Sequence, residues 1–178
     1  MIEETVRELA TLFCEHVEEN TVLNAGSIVE LSKLPAIVLN GPTLTEKKKL
    51  MRDPERITAI DEEAGHAIRE IPPRWYDLKF DVNISCADYW ELLGLTEKLS
   101  RINQAYPLLT VKRDERERQY LWRLEKAPQV STTPNISQVY QGQAGIIIYD
   151  VEVYSEIQEI WPLIEKVIVR CNDERMLN

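Results

Sequence analysis

A change of period inside one stretch, Leu78 to Tyr106, limits what this chain can fold into more than any other feature. Leu78, Phe80, Val82 and Ile84 alternate with Lys79, Asp81, Asn83 and Ser85. That two-residue repeat belongs to a strand with one dry face and one wet face. The repeat then lengthens, and Tyr89, Leu92, Leu93, Leu99 and Ile102 fall on one stripe of a helix. Ser85 and Asp88 stand at the spacing of a capping box. Pro107 ends the helix, since its ring nitrogen has no hydrogen to continue the ladder. A strand that feeds an amphipathic helix needs a sheet to join and a sheet face for the helix to cover.

The rest of the chain arranges itself around that unit. Residues 2–19 predict a helix whose stripe is Val6, Leu9, Ala10, Phe13 and Val17. Leu34 to Leu39 predicts a strand halted by Asn40-Gly41-Pro42, with Pro35 suited to a strand start or an edge. Residues 41–74 hold few apolar side chains, a lysine triplet and the prolines Pro54, Pro72 and Pro73; they predict a long loop with a short helix around Ile60 to Arg69. Leu108 to Val111 and Tyr120 to Leu124 predict a hairpin about a charged tip, with Tyr120, Trp122 and Leu124 on one face. A second polar loop is expected over 126–143. In Ala144 to Tyr154, Ile147, Tyr149, Val151 and Val153 alternate with Ile148, Asp150, Glu152 and Tyr154, the longest strand signal present. Leu163 to Arg170 predicts a last strand or short helix. The expectation is a single α+β domain over 1–178, its sheet mostly antiparallel, with an N-terminal helix and a long helix packed on one face.

Composition narrows the function classes. At 178 residues the chain is long enough for one domain with a proper core. No apolar run reaches the roughly 20 residues that span a bilayer, and Met1 leads into an acidic segment unlike a signal peptide. Cys14, Cys86 and Cys171 are odd in number and scattered, as expected of reduced thiols. The net charge is -9, and it is concentrated at the ends. Residues 1–34 carry seven acids and two bases, and residues 149–178 carry seven acids and three bases, whereas the middle is balanced at sixteen of each. A general grip on nucleic acid needs clustered lysine and arginine, and this distribution argues against one.

Candidate chemistry is sparse. Glu62, His66 and Glu70 would share a helix face at i, i+4 and i+8 and could hold a metal, making a metal-dependent hydrolase the reading of a different class. A solvated helix face explains the same residues, and Gly65 weakens the helix, so no metal and no cofactor are expected. The chain has two histidines, neither inside a catalytic motif, and no phosphate-binding glycine pattern. Asp150 and Glu152 alternate along a strand without the nearby lysine a nuclease would place there. Tryptophan occurs at 75, 90, 122 and 161; one left on the surface would mark a protein contact. The triplet Lys47, Lys48 and Lys49, together with Trp75 and Tyr140, are the candidates for partner contact.

The helix at the N-terminus, Leu-Pro-Ala-Ile-Val-Leu at 34–39, the alternating strand 78–84 and the helix with Leu92, Leu93 and Leu99 come in a telling order. Tyr-Pro-Leu-Leu at 106–109 and Ile-Tyr-Asp-Val-Glu-Val-Tyr at 148–154 complete it. In that order the chain resembles the tail-terminator, or tail-completion, proteins of long-tailed bacteriophages. The resemblance implies a homo-oligomeric ring, usually a hexamer, that caps the tail tube and meets the head connector, with no catalysis and no membrane. It also implies assembly in the host cytoplasm, a final place at the virion neck or tail, and DNA passing through without specific binding. An acidic lumen would serve that passage, with Glu3, Glu4, Asp150 and Glu152 as the pore-facing acids. Another neck, head-completion or tail structural protein is the neighbouring alternative.

Overall fold

A computed structural model describes residues 1–24, 33–47, 56–61, 66–70, 73–113, 116–135, 137–153 and 158–162. The chain divides into two units, Met1–Met51 with Pro73–Val153 and Arg52–Pro72 with Tyr154–Asn178. The second unit holds a three-stranded antiparallel sheet of β3 (Arg56–Asp61), β4 (His66–Glu70) and β9 (Gln158–Pro162), in that order.

The first unit is an α+β layer pair. Its helices are α1 (Ile2–His16) and α2 (Tyr89–Ala105). Its strands are β1 (Thr21–Asn24), β2 (Ala36–Glu46), β5 (Arg74–Cys86), β6 (Leu108–Arg113), β7 (Arg116–Val130) and β8 (Tyr140–Val153). They lie in the order β1-β2-β5-β8-β7-β6, with β1 and β2 parallel and every other neighbour antiparallel. Register places the apolar residues in cross-strand rows on one face: Ile37 beside Ile84, Phe80 beside Ile146 and Leu124, and Leu78 beside Ile148 and Trp122. Both helices press onto that face, α1 through Val6, Leu9 and Phe13, α2 through Leu92, Leu95, Leu99 and Ile102. Each such side chain contributes about 1.5–3 kcal/mol by leaving water. The opposite face alternates as the sequence demands, with rows Lys79–Ile147–Arg123 and Asn83–Gln143–Gln129. Lys79 pairs there with Glu125, and Lys126 with Asp81 at 3.8 Å.

Local chemistry explains the boundaries. The α2 cap is Asp88 alone, whose carboxylate accepts from the amides of Trp90 and Glu91 at 2.9 and 3.1 Å; Ser85, the other half of the expected box, is buried in β5. Leu95 takes the stripe position where Leu93 and Tyr89 were expected, and those two lie half-buried at its flanks. Trp122 anchors the helix end: its indole donates to the Tyr106 carbonyl at 2.6 Å, its carbonyl accepts from Asn103 at 3.1 Å, and its ring lies 6.1 Å from Phe13. Cys86 is fully buried, and burial first, then Glu91, Glu18 and Asp88, push its thiol up to about 12.

Four expectations need correction. The stretch 41–74 is not a loop: β2 runs on to Glu46, β3 and β4 follow, and β5 begins at Arg74. Asn40-Gly41-Pro42 makes a bulge instead of an end, because pairing with β5 lapses between Asn40 and Thr43 and then resumes to Glu46. Gly41 has φ +136, and a Cβ there would meet the Lys79 carbonyl at 2.8 Å, so glycine is required. No helix spans 60–69, since β3 reaches Asp61 and β4 starts at His66. In 126–143, β7 continues to Val130 and β8 starts at Tyr140. Pro128 is accommodated because register shifts between Leu124 and Gln129 leave it out of the ladder. The expected element at 163–170 lies outside the described residues.

Candidate functional site

β8 keeps β5 as a partner to its end, Arg74 opposite Val153, but pairs with β7 only as far as Ile148 opposite Trp122. Beyond that rung β7 pairs with β6 alone, from Leu108–Leu121 to Arg113–Arg116. The sheet therefore forks, one prong formed by β6 and β7 and the other by β5 and β8.

The cause is a bulge held by three charged side chains. Tyr76 faces Val151 and Leu78 faces Ile148, so Asp77 stands opposite two residues, Tyr149 and Asp150. Asp150 takes φ 57, a conformation that aspartate tolerates better than most residues. Its N–H donates to Asp77 Oδ1 at 3.1 Å. Lys47 Nζ lies 3.0 Å from Asp77 Oδ1 and 2.7 Å from Asp150 Oδ1, and 5.3 Å above the Tyr149 ring. The Lys47 N–H donates to the Trp75 carbonyl at 2.9 Å, which places the side chain. Burial opposes the lysine's charge, yet hydrogen bonds to Asp150 and Asp77 outweigh it and raise its pKa. A bulge adds local twist, and this one turns the end of β8 away from β7.

Between the prongs lies an open groove of about 950 Å³ on the helix-free face. Trp75, Leu108, Leu121 and Tyr149 give it an apolar floor, and Arg118, Arg123, Glu117 and Glu152 give it charge. Arg118 Nε and Glu152 Oε2 bridge the prongs at 3.6 Å. Such a groove can hold a polypeptide by apolar contact and by backbone hydrogen bonds; among the described residues that line it, none pairs a nucleophile with a base.

Four residues singled out in the sequence meet here: Lys47, Trp75, Asp150 and Glu152. Tyr140 does not; it sits at the other end of β8, opposite Cys86, with its ring 5.7 Å from Tyr89. Glu3 and Glu4 lie on α1, over the face that the helices cover, where Glu3 pairs with Arg7 at 2.6 Å and Glu4 with the Met1 amino group at 2.5 Å. Lys48 and Lys49 lie outside the described residues, as does Glu62. His66 and Glu70 stand at the two ends of β4. A strand separates residues four apart by about 13 Å, where a helix would bring them within about 6 Å. The shared helical face on which the metal reading depended is absent. Among the described residues, no group of three or more His, Cys, Asp or Glu is placed to hold a metal.

Asp77, Tyr149 and Arg123 were not foreseen. Ala144, Ile146, Ile148 and Val151 are the β8 residues that join the core beneath the helices, so the alternation changes phase at Tyr149-Asp150. The expected face of Ile147, Tyr149, Val151 and Val153 is corrected accordingly. Of the tryptophans, Trp122 is buried, Trp75 is half-buried in the groove, and Trp90 is 76% exposed on the first turn of α2.

No protein-family model matches the chain, and no curated protein does. Among solved structures, the chain is similar to one from the virion of a native gene transfer agent particle, at 8% identity and a TM-score of 0.45. The match covers 85% of this chain and 93% of that one. The likeness is distant, and no role follows from it. Among the described residues, no helix is long and apolar enough to cross a membrane.

Proposed function

We propose that this chain is a structural protein of phage-like particles that acts as a tail terminator. In this reading copies close into a ring, a hexamer by analogy with the resembling family, that caps the tail tube and joins it to the head connector. The observation that carries it is a sheet left open at both ends. β1 and β6 are its outer strands, and among the described residues no further strand pairs with either. Exposed edges of that kind bind another chain unless they are blunted, and head-to-tail contacts between unlike edges generate rings. The exposed Trp90 adds an aromatic anchor of the type that dominates protein contacts.

The net charge of -9 keeps phosphates from sticking as DNA passes. Glu3, Glu4, Asp150 and Glu152 each have a local cation, so the repulsion comes from the acidic ends as a whole. The protein would assemble in the host cytoplasm and remain at the virion neck. Sedimentation velocity and negative-stain imaging, with and without tail-tube protein, test the proposal. Closed rings are expected; a monomer under both conditions overturns it.

A further inference from the structure

We propose that the fork between β7 and β8 is a docking slot for an extended, acid-bearing segment of a partner protein, which adds as a strand to the fork-facing edge of β7. The idea stands on the fork alone and holds whether or not copies close into rings.

Backbone direction supplies the first argument. The Trp122 N–H donates to the Pro107 carbonyl at 3.1 Å, so its polar groups face the β6 side. Alternation along the strand then turns the N–H and C=O groups of Gln119 and Glu117 toward the fork. Among the described residues no strand pairs with them there. Only an extended segment offers donors and acceptors at the matching interval, which is the basis of recognition by strand addition. A helix laid in the groove would leave these groups unmet.

Charge supplies the second. Each acid lining the fork already has its cation: Glu117 with Lys112 at 3.6 Å, Asp150 with Lys47 at 2.7 Å, and Glu152 with Arg118 at 3.6 Å. Arg123 is exposed, lines the same groove, and has no acidic partner among the described residues. The slot therefore holds one unmatched positive charge beside the apolar surface of Leu108, Leu121, Trp75 and Tyr149. A segment that fits places an apolar side chain next to Leu121 and a carboxylate within reach of Arg123. A guanidinium meeting a carboxylate makes the stronger, charge-assisted kind of hydrogen bond.

The test uses the full-length chain, isotope-labelled, titrated with two synthetic hexapeptides of alternating valine and threonine. One ends in two glutamates and the other in two lysines. The acidic peptide is expected to bind at least tenfold more tightly and to shift amide resonances of Gln119, Leu121 and Tyr149. Arg123→Glu should reverse the preference, and because Arg123 is exposed the variant's circular dichroism should match that of the parent. Equal binding of both peptides overturns the proposal, as does no binding of either, or shifts clustered around Trp90 instead of the fork. An unchanged preference in Arg123→Glu would also overturn it.

Discussion

β8 lies between β5 and β7 and holds its two neighbours differently. Against β5 it is paired almost from end to end, Cys86–Tyr140 to Arg74–Val153, with one bulge absorbed on the way. Against β7 it stops at Trp122, and the strands diverge. The apolar rows are equally good up to that rung, so hydrophobic burial does not distinguish the two sides. What distinguishes them is where the polar groups at the bulge find partners. Asp77 on β5 and Lys47, the residue after β2, bind Asp150 from one side, and β8 follows them. A sheet can thus be opened by a polar cluster at one edge of a strand without any loss of its core.

The sharpest way to break the comparison is at the rung where paired and forked halves meet. Trp122→Ala removes the largest fully buried side chain among the described residues, its contact with Phe13 and its bond to the Tyr106 carbonyl. A loss of about 3–5 kcal/mol is expected in chemical denaturation. A loss below about 1 kcal/mol would mean that the rung is not where the two prongs are held together.

Next comes the cluster itself. Lys47→Met leaves Asp77, whose side chain is 12% exposed, without its cation. The lysine is itself 32% exposed and its partners reach solvent, so the loss should be smaller, about 1–2 kcal/mol. Hydrogen exchange should then speed up in 147–153 while 80–84 stays slow; uniform acceleration would count against a local clamp. The pH dependence has a definite sign. Because the folded pKa of Lys47 is raised above its ordinary 10.5, its contribution is complete below that value and disappears as pH climbs through the folded one. The stability gap between parent and Lys47→Met should stay level from neutral pH to about 10 and shrink above it. A gap that widens in alkali would refute the assignment.

The smallest effect serves as the reference. Asp88→Ala removes the α2 cap, past the end of β5 opposite the fork, and should cost about 1 kcal/mol without altering exchange at 147–153. Equal exchange changes in Asp88→Ala and Lys47→Met would erase the distinction between the two regions.

Much of this was legible in the residues. The switch of period after Ser85 specified β5 and α2, and the charged tip at 112–118 specified the β6–β7 hairpin, because both signals are local. The turn signal at Asn40-Gly41-Pro42 marks a bulge, where the sequence predicts a strand end. Whether such a stretch stops a strand or bulges out of it depends on the neighbour, and β5 continues beside it. The loops expected at 41–74 and 126–143 failed for a related reason: strands with few apolar residues are specified by the backbone groups beside them, which a one-dimensional pattern does not record.

By itself the sequence determined which residues of α1 and of β5 turn inward, where those elements and α2 lie, and that acid is concentrated at the ends, since periodicity and composition are properties of neighbouring residues. The fork was decided only in three dimensions. Lys47 and Asp150 are 103 residues apart, and Asp77 and Asp150 are 73 apart. No spacing rule links them. They meet because β2, β5 and β8 are laid side by side, and only there can a lysine and two aspartates turn the end of one strand away from its neighbour.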